Sequence, residues 1–218
     1  MITSNFMKKV SLACAGTVLI ALGTLGMSQA QAVVVTFDDL SGNEAPIPNG
    51  YQGLNWNNFY YLNGTLNIYD SSGYDNGIVS TPNVAYNGFG TPASVSVDHG
   101  QFDFNSTYLT GSWNNGLNIL VKGSLGGVPK YSQTVTVNTT SPTKFTFNYL
   151  GIDNLKFTSS GGVSAGYNGD GKHFALDNFE YNAAPVPEPS TILGSLIAGG
   201  FVLSRFCKQK NLKASAKV

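Results

Sequence analysis

The chain has 218 residues with 12 basic and 12 acidic side chains, but residues 33–182 hold five lysines against 11 acidic residues, a net charge of −6. This balance argues against a nucleic-acid partner, because phosphate binding needs a basic surface. Both cysteines, Cys14 and Cys207, lie outside that stretch, which excludes a disulfide bond or a thiol nucleophile within it.

The N-terminus predicts export. Two lysines precede an apolar stretch from Val10 to Gly26, and Ala30-Gln31-Ala32 has the small-x-small pattern of a signal-peptidase site. We therefore expect a signal peptide over residues 1–32 that signal peptidase removes. Ser28-Gln29-Ala30 is the alternative cleavage site, and an uncleaved anchor is the alternative interpretation.

Residues 33–182 show the period-two alternation of half-buried antiparallel strands. No stretch keeps a helical period for three turns. We predict an all-β domain of about eight to ten strands, an antiparallel β-sandwich of the jelly-roll type, with an up-and-down barrel as the alternative. The alternation is seen in five segments: Val95 to Val97, Phe102 to Phe104, Tyr131 to Val137, Phe145 to Tyr149 and Leu155 to Phe157.

Glycine-containing pairs separate these runs and predict tight turns. Asn-Gly pairs supply the positive φ angles that hairpin turns need. The segment from Gly123 to Gly127 lacks the spacing of a nucleophile elbow and predicts a hairpin loop. The other predicted turns are Asn49-Gly50, Asn63-Gly64, Asn76-Gly77, Asn87-Gly88, Asn115-Gly116, Gly161-Gly162 and Asn168-Gly169.

Aromatic residues are the candidates for ligand contact. Tyr60, Tyr61 and Trp113 are the predicted ligand-binding residues, since flat rings with a polar edge can stack on sugar faces. If Tyr60 and Tyr61 share one strand they point to opposite faces, so at most one of them is exposed. Core packing is the alternative for Trp113, and it is the favoured interpretation of Trp56 because that residue shares a strand face with Leu54.

No catalytic residue is predicted, and we expect the chain not to be an enzyme. His99 and His173 are the two histidines of the chain, and neither has a metal-ligand partner at a fixed spacing. A secreted glycoside hydrolase with two carboxylates in a cleft is the least favoured alternative.

The C-terminus predicts a single-span membrane helix. The run from Ile192 to Leu203 is apolar, and a helix from Ser190 to Phe206 would reach about 26 Å, close to the thickness of a bilayer core. The basic residues that follow would remain on the cytoplasmic side and retain the tail there. A plain membrane anchor is the alternative interpretation. The predicted retention residues are Arg205, Lys208 and Lys210.

A short proline motif precedes the apolar run: Val186, Pro187, Glu188 and Pro189. With the span and the basic end, residues 183–218 resemble the PEP-CTERM sorting signal of exopolysaccharide-producing bacteria. The resemblance implies that an exosortase-type membrane peptidase cuts near the motif and releases or transfers the protein. It also implies transient anchoring in the inner membrane, followed by a place on the cell surface or outside the cell.

Segments of the domain carry a second resemblance: Phe37-Asp38-Asp39-Leu40, Gly50 to Phe59, Phe157 to Gly162 and Phe174 to Phe179. They resemble uncharacterised PEP-CTERM ectodomains, and the first and last resemble the terminal strands of carbohydrate-binding jelly rolls. The resemblance implies that the terminal strands pair and that Asp38 or Asp39, together with Asp177, holds one structural calcium ion. Solvated carboxylates at strand ends are the alternative.

These features favour an exported cell-surface or extracellular-matrix protein with a structural or adhesive role among exopolysaccharides. A carbohydrate-binding module with an aromatic platform is the alternative, and it implies a polysaccharide partner. Apart from the predicted calcium ion, no cofactor is expected.

Overall fold

The computed structural model describes residues 32–69 and 71–183, which form twelve β-strands in two antiparallel sheets. The strands are β1 (Ala32–Val35), β2 (Glu44–Pro46), β3 (Asn55–Asn57), β4 (Phe59–Asn63), β5 (Asn83–Asn87), β6 (Ala93–Ser96), β7 (Phe102–Gly111), β8 (Asn114–Leu125), β9 (Val128–Val137), β10 (Thr143–Ile152), β11 (Asn154–Ser164) and β12 (Phe174–Ala183). Within these residues the helical elements are three 3-10 turns, at Tyr51–Gly53, Asn67–Tyr69 and Gly88–Gly90.

The strand order is that of a jelly roll with additional edge strands. The larger sheet has the order β10-β7-β12-β5-β4-β2, with β1 also paired to β12, and the smaller sheet has the order β3-β6-β11-β8-β9. Strands β5 to β12 alone give β5-β12-β7-β10 in one sheet and β6-β11-β8-β9 in the other, an eight-stranded double-sheet jelly roll. The predicted sandwich is confirmed. The barrel alternative is wrong, because the strands form two separate sheets.

The strand count exceeds the predicted eight to ten because β1, β2 and β3 have only three or four residues, too few to show an alternation. β1 pairs with β12, and Val35 lies opposite Phe179. The implied pairing of the first and last elements therefore occurs, although Asp38 and Asp39 themselves lie in the turn after β1.

The core lies between the sheets and is rich in phenylalanine. All five segments with period-two alternation contribute strand residues, and most of their alternate side chains are buried, as predicted for Val135 and Val137. Val97, Tyr131 and Phe145 are half-buried, and Gln133 is exposed. Phe104 of β7 stacks on Phe147 at 5.0 Å and on Phe179 at 4.8 Å between ring centroids. Trp56 is 4% exposed and donates its indole N–H to the Tyr51 carbonyl at 3.1 Å, which confirms its assignment to the core.

The glycine pairs divide into turns and strand positions. Gly126-Gly127 closes the β8–β9 hairpin as predicted. Asn115-Gly116 and Gly161-Gly162 were predicted as turns, but they lie inside β8 and β11, where the pairing continues on both sides of them. Gly116, Gly161 and Gly162 have positive φ angles of 65°, 69° and 80°. At these positions glycine allows a local distortion within a long strand and does not reverse the chain.

A segment that we call the strap, residues 71–82, covers part of the outer face of the larger sheet. Gly73 donates its N–H to the Ser112 carbonyl at 2.9 Å, and a Cβ at Gly73 would lie 1.8 Å from the Gly111 carbonyl oxygen. A Cβ at Gly77 would lie 3.0 Å from the Ala175 Cβ. The absence of side chains at both glycines therefore lets the strap lie directly on the sheet.

Several predictions fall on residues outside 32–69 and 71–183. They are the signal peptide before Ala32, the sorting motif Val186 to Pro189, the predicted span, and the retention residues Arg205, Lys208 and Lys210. Among the residues that the structure does describe, no helix has the length and apolar character needed to cross a membrane.

Candidate functional site

A second apolar cluster lies on the outer face of the larger sheet, away from the main core. Alternate residues of a strand face opposite sides, so Phe59 and Tyr61 of β4 enter the core while Tyr60 and Leu62 point outward. On β5, Ala85 likewise faces the core. The outward cluster is formed by Leu62, Tyr74, Val84, Tyr86 and Ala175, with Tyr60, Tyr69, Ile78 and Trp113 packed against it.

The rings of this cluster form a continuous row across the sheet and the strap. Successive ring centroids lie 6.0 Å apart from Phe89 to Tyr60, 5.6 Å from Tyr60 to Tyr86, 5.4 Å from Tyr86 to Tyr74 and 5.2 Å from Tyr74 to Trp113. Such spacings are those of favourable aromatic pairs. We call these five residues, together with Tyr69 and Glu44, the aromatic face.

Glu44 of edge strand β2 supplies the carboxylate of the aromatic face. It accepts hydrogen bonds from the hydroxyl groups of Tyr86 and Tyr69, the latter at 3.1 Å. Burial, together with the adjacent Glu44 charge, raises the pKa of Tyr69 to about 12 and also raises the pKa of Tyr86. Both phenols therefore stay protonated at neutral pH and act as donors to an exposed carboxylate.

Phe89 is the exposed end of the row. Its side chain is 79% exposed, and its φ of 58° lies in the left-handed region that disfavours residues with a Cβ. Asn58 holds this turn: its side-chain amide donates to the Gly88 carbonyl at 3.0 Å, the Thr91 hydroxyl at 2.9 Å and the Pro92 carbonyl at 3.1 Å. A strained backbone thus presents an apolar ring to solvent, a combination that is concentrated at functional sites.

His173 borders the aromatic face. Its ring centroid is 6.2 Å from that of Tyr86, and its Nδ1 lies 3.3 Å from the Asp170 carbonyl. Burial lowers the pKa of His173, so its imidazole is neutral at pH 7 and adds no positive charge beside Glu44. The aromatic face can therefore offer flat rings and hydrogen-bonding groups without a local cation from this histidine.

Asp177 fixes the strap to the sheet beneath it. Its carboxylate is fully buried and accepts hydrogen bonds from Val79 N at 2.7 Å, Ser80 N at 2.8 Å, Ser80 Oγ at 3.0 Å and Asn178 N at 2.7 Å. Burial raises the pKa of Asp177 to about 6, although these donors act in the opposite direction. Asp177 therefore holds Val79 and Ser80 against β12.

The three predicted ligand-binding residues have different surroundings. Tyr60 is half-buried in the aromatic face, between Tyr86 and Phe89. Tyr61 is a correction: its ring is only 5% exposed in the main core, and its hydroxyl donates to the Ser41 carbonyl at 2.5 Å, so it cannot present its ring to a ligand.

Trp113 lies at the far end of the row and is half-buried. Tyr74 packs against it edge to face, and a Cβ on Gly169 would lie 2.7 Å from its ring atoms. Neighbouring protein groups thus cover much of the indole, and Trp113 supports Tyr74 more than it offers a platform.

Three residues of the aromatic face were not predicted from the sequence: Glu44, Tyr86 and Phe89. Of these, Phe89 alone had a local signal, because it is a large apolar residue between two turn-forming glycines.

The carboxylates predicted to hold calcium each accept hydrogen bonds from protein groups. Asp38 accepts from Asn83 N at 3.0 Å, Asp39 accepts from the Tyr51 hydroxyl at 2.5 Å, and both oxygens of Asp177 are engaged as described above. Within residues 32–69 and 71–183, no group of three or more His, Cys, Asp or Glu residues is arranged to hold a metal ion. The donors around Asp177 disfavour it as a calcium ligand. A calcium ion held by Asp38 or Asp39 together with Asp177 stays a prediction.

The solved structures similar to this chain include two carbohydrate-binding modules, both at low similarity. No family model matches, and neither does any curated protein. A family 61 carbohydrate-binding module solved in complex with β-1,4-galactotriose is 14% identical, with a TM-score of 0.32 over 65% of this chain and 98% of that one. A family 4 carbohydrate-binding module is 11% identical, with a TM-score of 0.27 over 74% of this chain and 83% of that one. These values leave family membership and ligand open.

Proposed function

We propose that this chain is an exported cell-surface or extracellular-matrix protein whose sandwich binds polysaccharide across the aromatic face. In this proposal the C-terminal motif, span and basic end sort it through an exosortase-type peptidase, after signal peptidase has removed the N-terminus. Its role is structural or adhesive, without catalysis. The observation that carries the binding proposal is Phe89, a 79% exposed ring at positive φ that continues a row of tyrosines.

Sugar binding suits this arrangement chemically. The apolar faces of pyranose rings pack on flat aromatic rings, and the exposed Phe89 offers one such ring, with the half-buried Tyr60 ring perpendicular to it at 6.0 Å. Sugar hydroxyl groups need hydrogen-bond partners when they leave water, and the exposed Glu44 carboxylate has acceptor capacity beyond its two tyrosine donors. Tyr86 and Tyr74, 8% and 4% exposed, form the rigid base under these groups.

Affinity electrophoresis of the full-length chain tests the proposal. The gels contain soluble neutral glucan, galactan or xylan, and the chain is kept in a detergent without sugar groups. We expect at least one of these polymers to retard the wild type and Phe89→Ala to weaken the affinity about tenfold, as for removal of an aromatic anchor. Because Phe89 is exposed, the melting temperature of the Phe89→Ala variant should differ little from that of the wild type.

Val163→Ala is the matched control, since Val163 is a 75% exposed apolar residue on β11, in the other sheet. It should retain wild-type retardation. If none of the neutral polymers retards the wild type, the aromatic face is not a site for neutral polysaccharide and the structural role stands without it.

A further inference from the structure

The outer face of the smaller sheet carries two lysines at its centre. Lys156 of β11 lies directly opposite Lys122 of β8, and both side chains are exposed. The flanking residues Val121, Leu155 and Phe157 point into the core and are fully buried, which fixes both lysines on the outer side. We call this surface the lysine face.

Short polar side chains surround the two lysines. The strand register extends the lysine row through Ser132 on one side and through Ser94 and Asn57 on the other. The neighbouring positions along these strands add hydroxyl and amide groups, and Leu120 is the apolar exception. These positions are Asn118, Leu120, Thr134, Thr136, Thr158 and Ser160.

The direct pairing of two lysines is unfavourable for folding alone. Opposite residues on neighbouring strands have Cβ atoms about 5 Å apart, and like charges there repel each other. Within residues 32–69 and 71–183 the single ion pair joins Lys144 to Glu180 at 3.6 Å, so no carboxylate neutralises Lys122 or Lys156. The pair therefore leaves two positive charges on an open surface, where an anionic group can approach both of them.

The lysine face is positive although the exported part of the chain is strongly acidic. In the part of the chain that the structure describes, no acidic residue occupies the outward strand positions of the smaller sheet. Asp98 and Asp153 lie in turns at its margin, where Asp98 accepts from the Asn55 amide at 2.7 Å and Asp153 accepts from Gly126 N at 2.6 Å. Two free cations thus stand on a face from which acidic side chains are excluded.

We propose that the lysine face docks a carboxylated polysaccharide, with Lys122 and Lys156 pairing with its carboxylates and the surrounding Ser, Thr and Asn side chains hydrogen-bonding its hydroxyl groups. Charge complementarity selects a polyanion. A polysaccharide fits better than a nucleic acid because the outward strand positions described for this sheet include no aromatic ring for base stacking. The strands of this sheet also carry only one further lysine, Lys130, whose Nζ donates to the Leu150 and Gly151 carbonyls. This surface lies in the opposite sheet from the aromatic face and is a separate site.

Binding of the full-length chain to sodium polygalacturonate tests the proposal, with Lys122→Gln/Lys156→Gln as the variant. Lys144→Gln/Lys172→Gln is the matched control, since it removes the same charge from exposed lysines outside the lysine face. We expect the first double variant to lower the affinity at least tenfold and the control to lower it less than twofold. Wild-type binding should weaken as salt rises from about 0.05 to 0.5 M, because exposed charges are screened.

Melting temperature separates lost binding from lost folding. The Lys122→Gln/Lys156→Gln variant should melt at or above the wild type, because a like-charge pair is removed. Three results overturn the proposal: wild type that does not bind polygalacturonate, equal losses in both double variants, or a loss of binding to duplex DNA or phosphatidylglycerol vesicles in Lys122→Gln/Lys156→Gln that is as large as the loss for polygalacturonate.

Discussion

The Asp177 carboxylate is a buried acidic group that joins the strap to β12. It is fully buried and accepts four hydrogen bonds, two of them from backbone N–H groups of the strap. Asp177→Asn replaces one acceptor oxygen with an amide that faces N–H or O–H donors. We expect the free energy of unfolding at neutral pH to fall by about 2–3 kcal/mol, measured by urea denaturation. The exposed Asp98→Asn is the control and should change it by less than about 0.5 kcal/mol.

The pKa of Asp177 also predicts a pH dependence of stability. This pKa is about 6 in the folded chain, against an ordinary value of 3.8. Between these values the folded state holds a proton that the unfolded state has released, so this group's stabilising contribution is present below about pH 4 and is lost as the pH rises to about 6. Urea denaturation from about pH 4 to pH 7 should show this fall in wild type and a smaller fall in Asp177→Asn. Equal slopes would contradict the assignment.

Asn58 is predicted to control how Phe89 is presented. Asn58→Gly keeps the positive φ of 55° accessible and removes only the side chain that binds Gly88, Thr91 and Pro92. We expect a stability loss of about 1–3 kcal/mol and weaker retardation by neutral polysaccharide. Retardation equal to that of wild type would show that a fixed turn is unnecessary for binding.

At the residue scale, the period-two alternation predicted which way a side chain faces better than it predicted what that side chain does. It placed Trp56 in the core and required Tyr60 and Tyr61 to face opposite sides, and both expectations are confirmed. It could not show which tyrosine faces outward, because that depends on which side of β4 meets the smaller sheet. Nor could it find Glu44, which reaches Tyr86 through the pairing of β2, β4 and β5.

The strap is the element whose contacts depend most on glycine. A Cβ at Gly73 would lie 1.8 Å from the Gly111 carbonyl oxygen, a distance that forces the backbone to move. We expect Gly73→Ala to reduce stability by more than about 3 kcal/mol, measured by urea denaturation, since backbone cannot yield as a flexible side chain does.

Gly126→Ala is the control for that substitution. Gly126 has a φ of 57° and no heavy atom within 4 Å of a built Cβ, so it reports only the cost of a left-handed alanine, about 1 kcal/mol. Equal losses at both positions would show that the strap is not held in close contact with β7.

At the element scale, the long strands were predictable and the connections were not. β9 and β10 show clear alternation because one side of each faces the core. The strap has no periodic pattern, since its contacts with Ser112, Thr139 and Asp177 come from chain positions about 40 to 100 residues away. Asn115-Gly116 was misjudged because a glycine inside a long strand and a glycine in a turn have the same local sequence.

On the scale of the whole molecule, the sandwich presents two chemically different outer faces. The larger sheet carries the aromatic face, with rings and the Glu44 carboxylate, and the smaller sheet carries the lysine face. Two separate contact surfaces suit a protein that crosslinks or lies within a polysaccharide matrix. The fold class followed from the sequence, but both faces depend on strand order.

The sorting proposal predicts a defined mature mass. Chain recovered from outside the cell should begin near Val33 and end near Pro187 because both terminal segments are removed, as intact mass spectrometry would show. Chain that carries the tail to Val218 and occurs only in membranes would instead indicate a plain anchor.

Cosedimentation with the exopolysaccharide of the producing cells tests polysaccharide binding at the aromatic face most directly. The full-length wild type, Phe89→Ala and Val163→Ala would be compared in about 0.5 M salt, where contacts of exposed lysines are screened. The account predicts that wild type and Val163→Ala pellet with the polymer while most of Phe89→Ala stays in the supernatant. Phe89→Ala that pellets as fully as the wild type would contradict it.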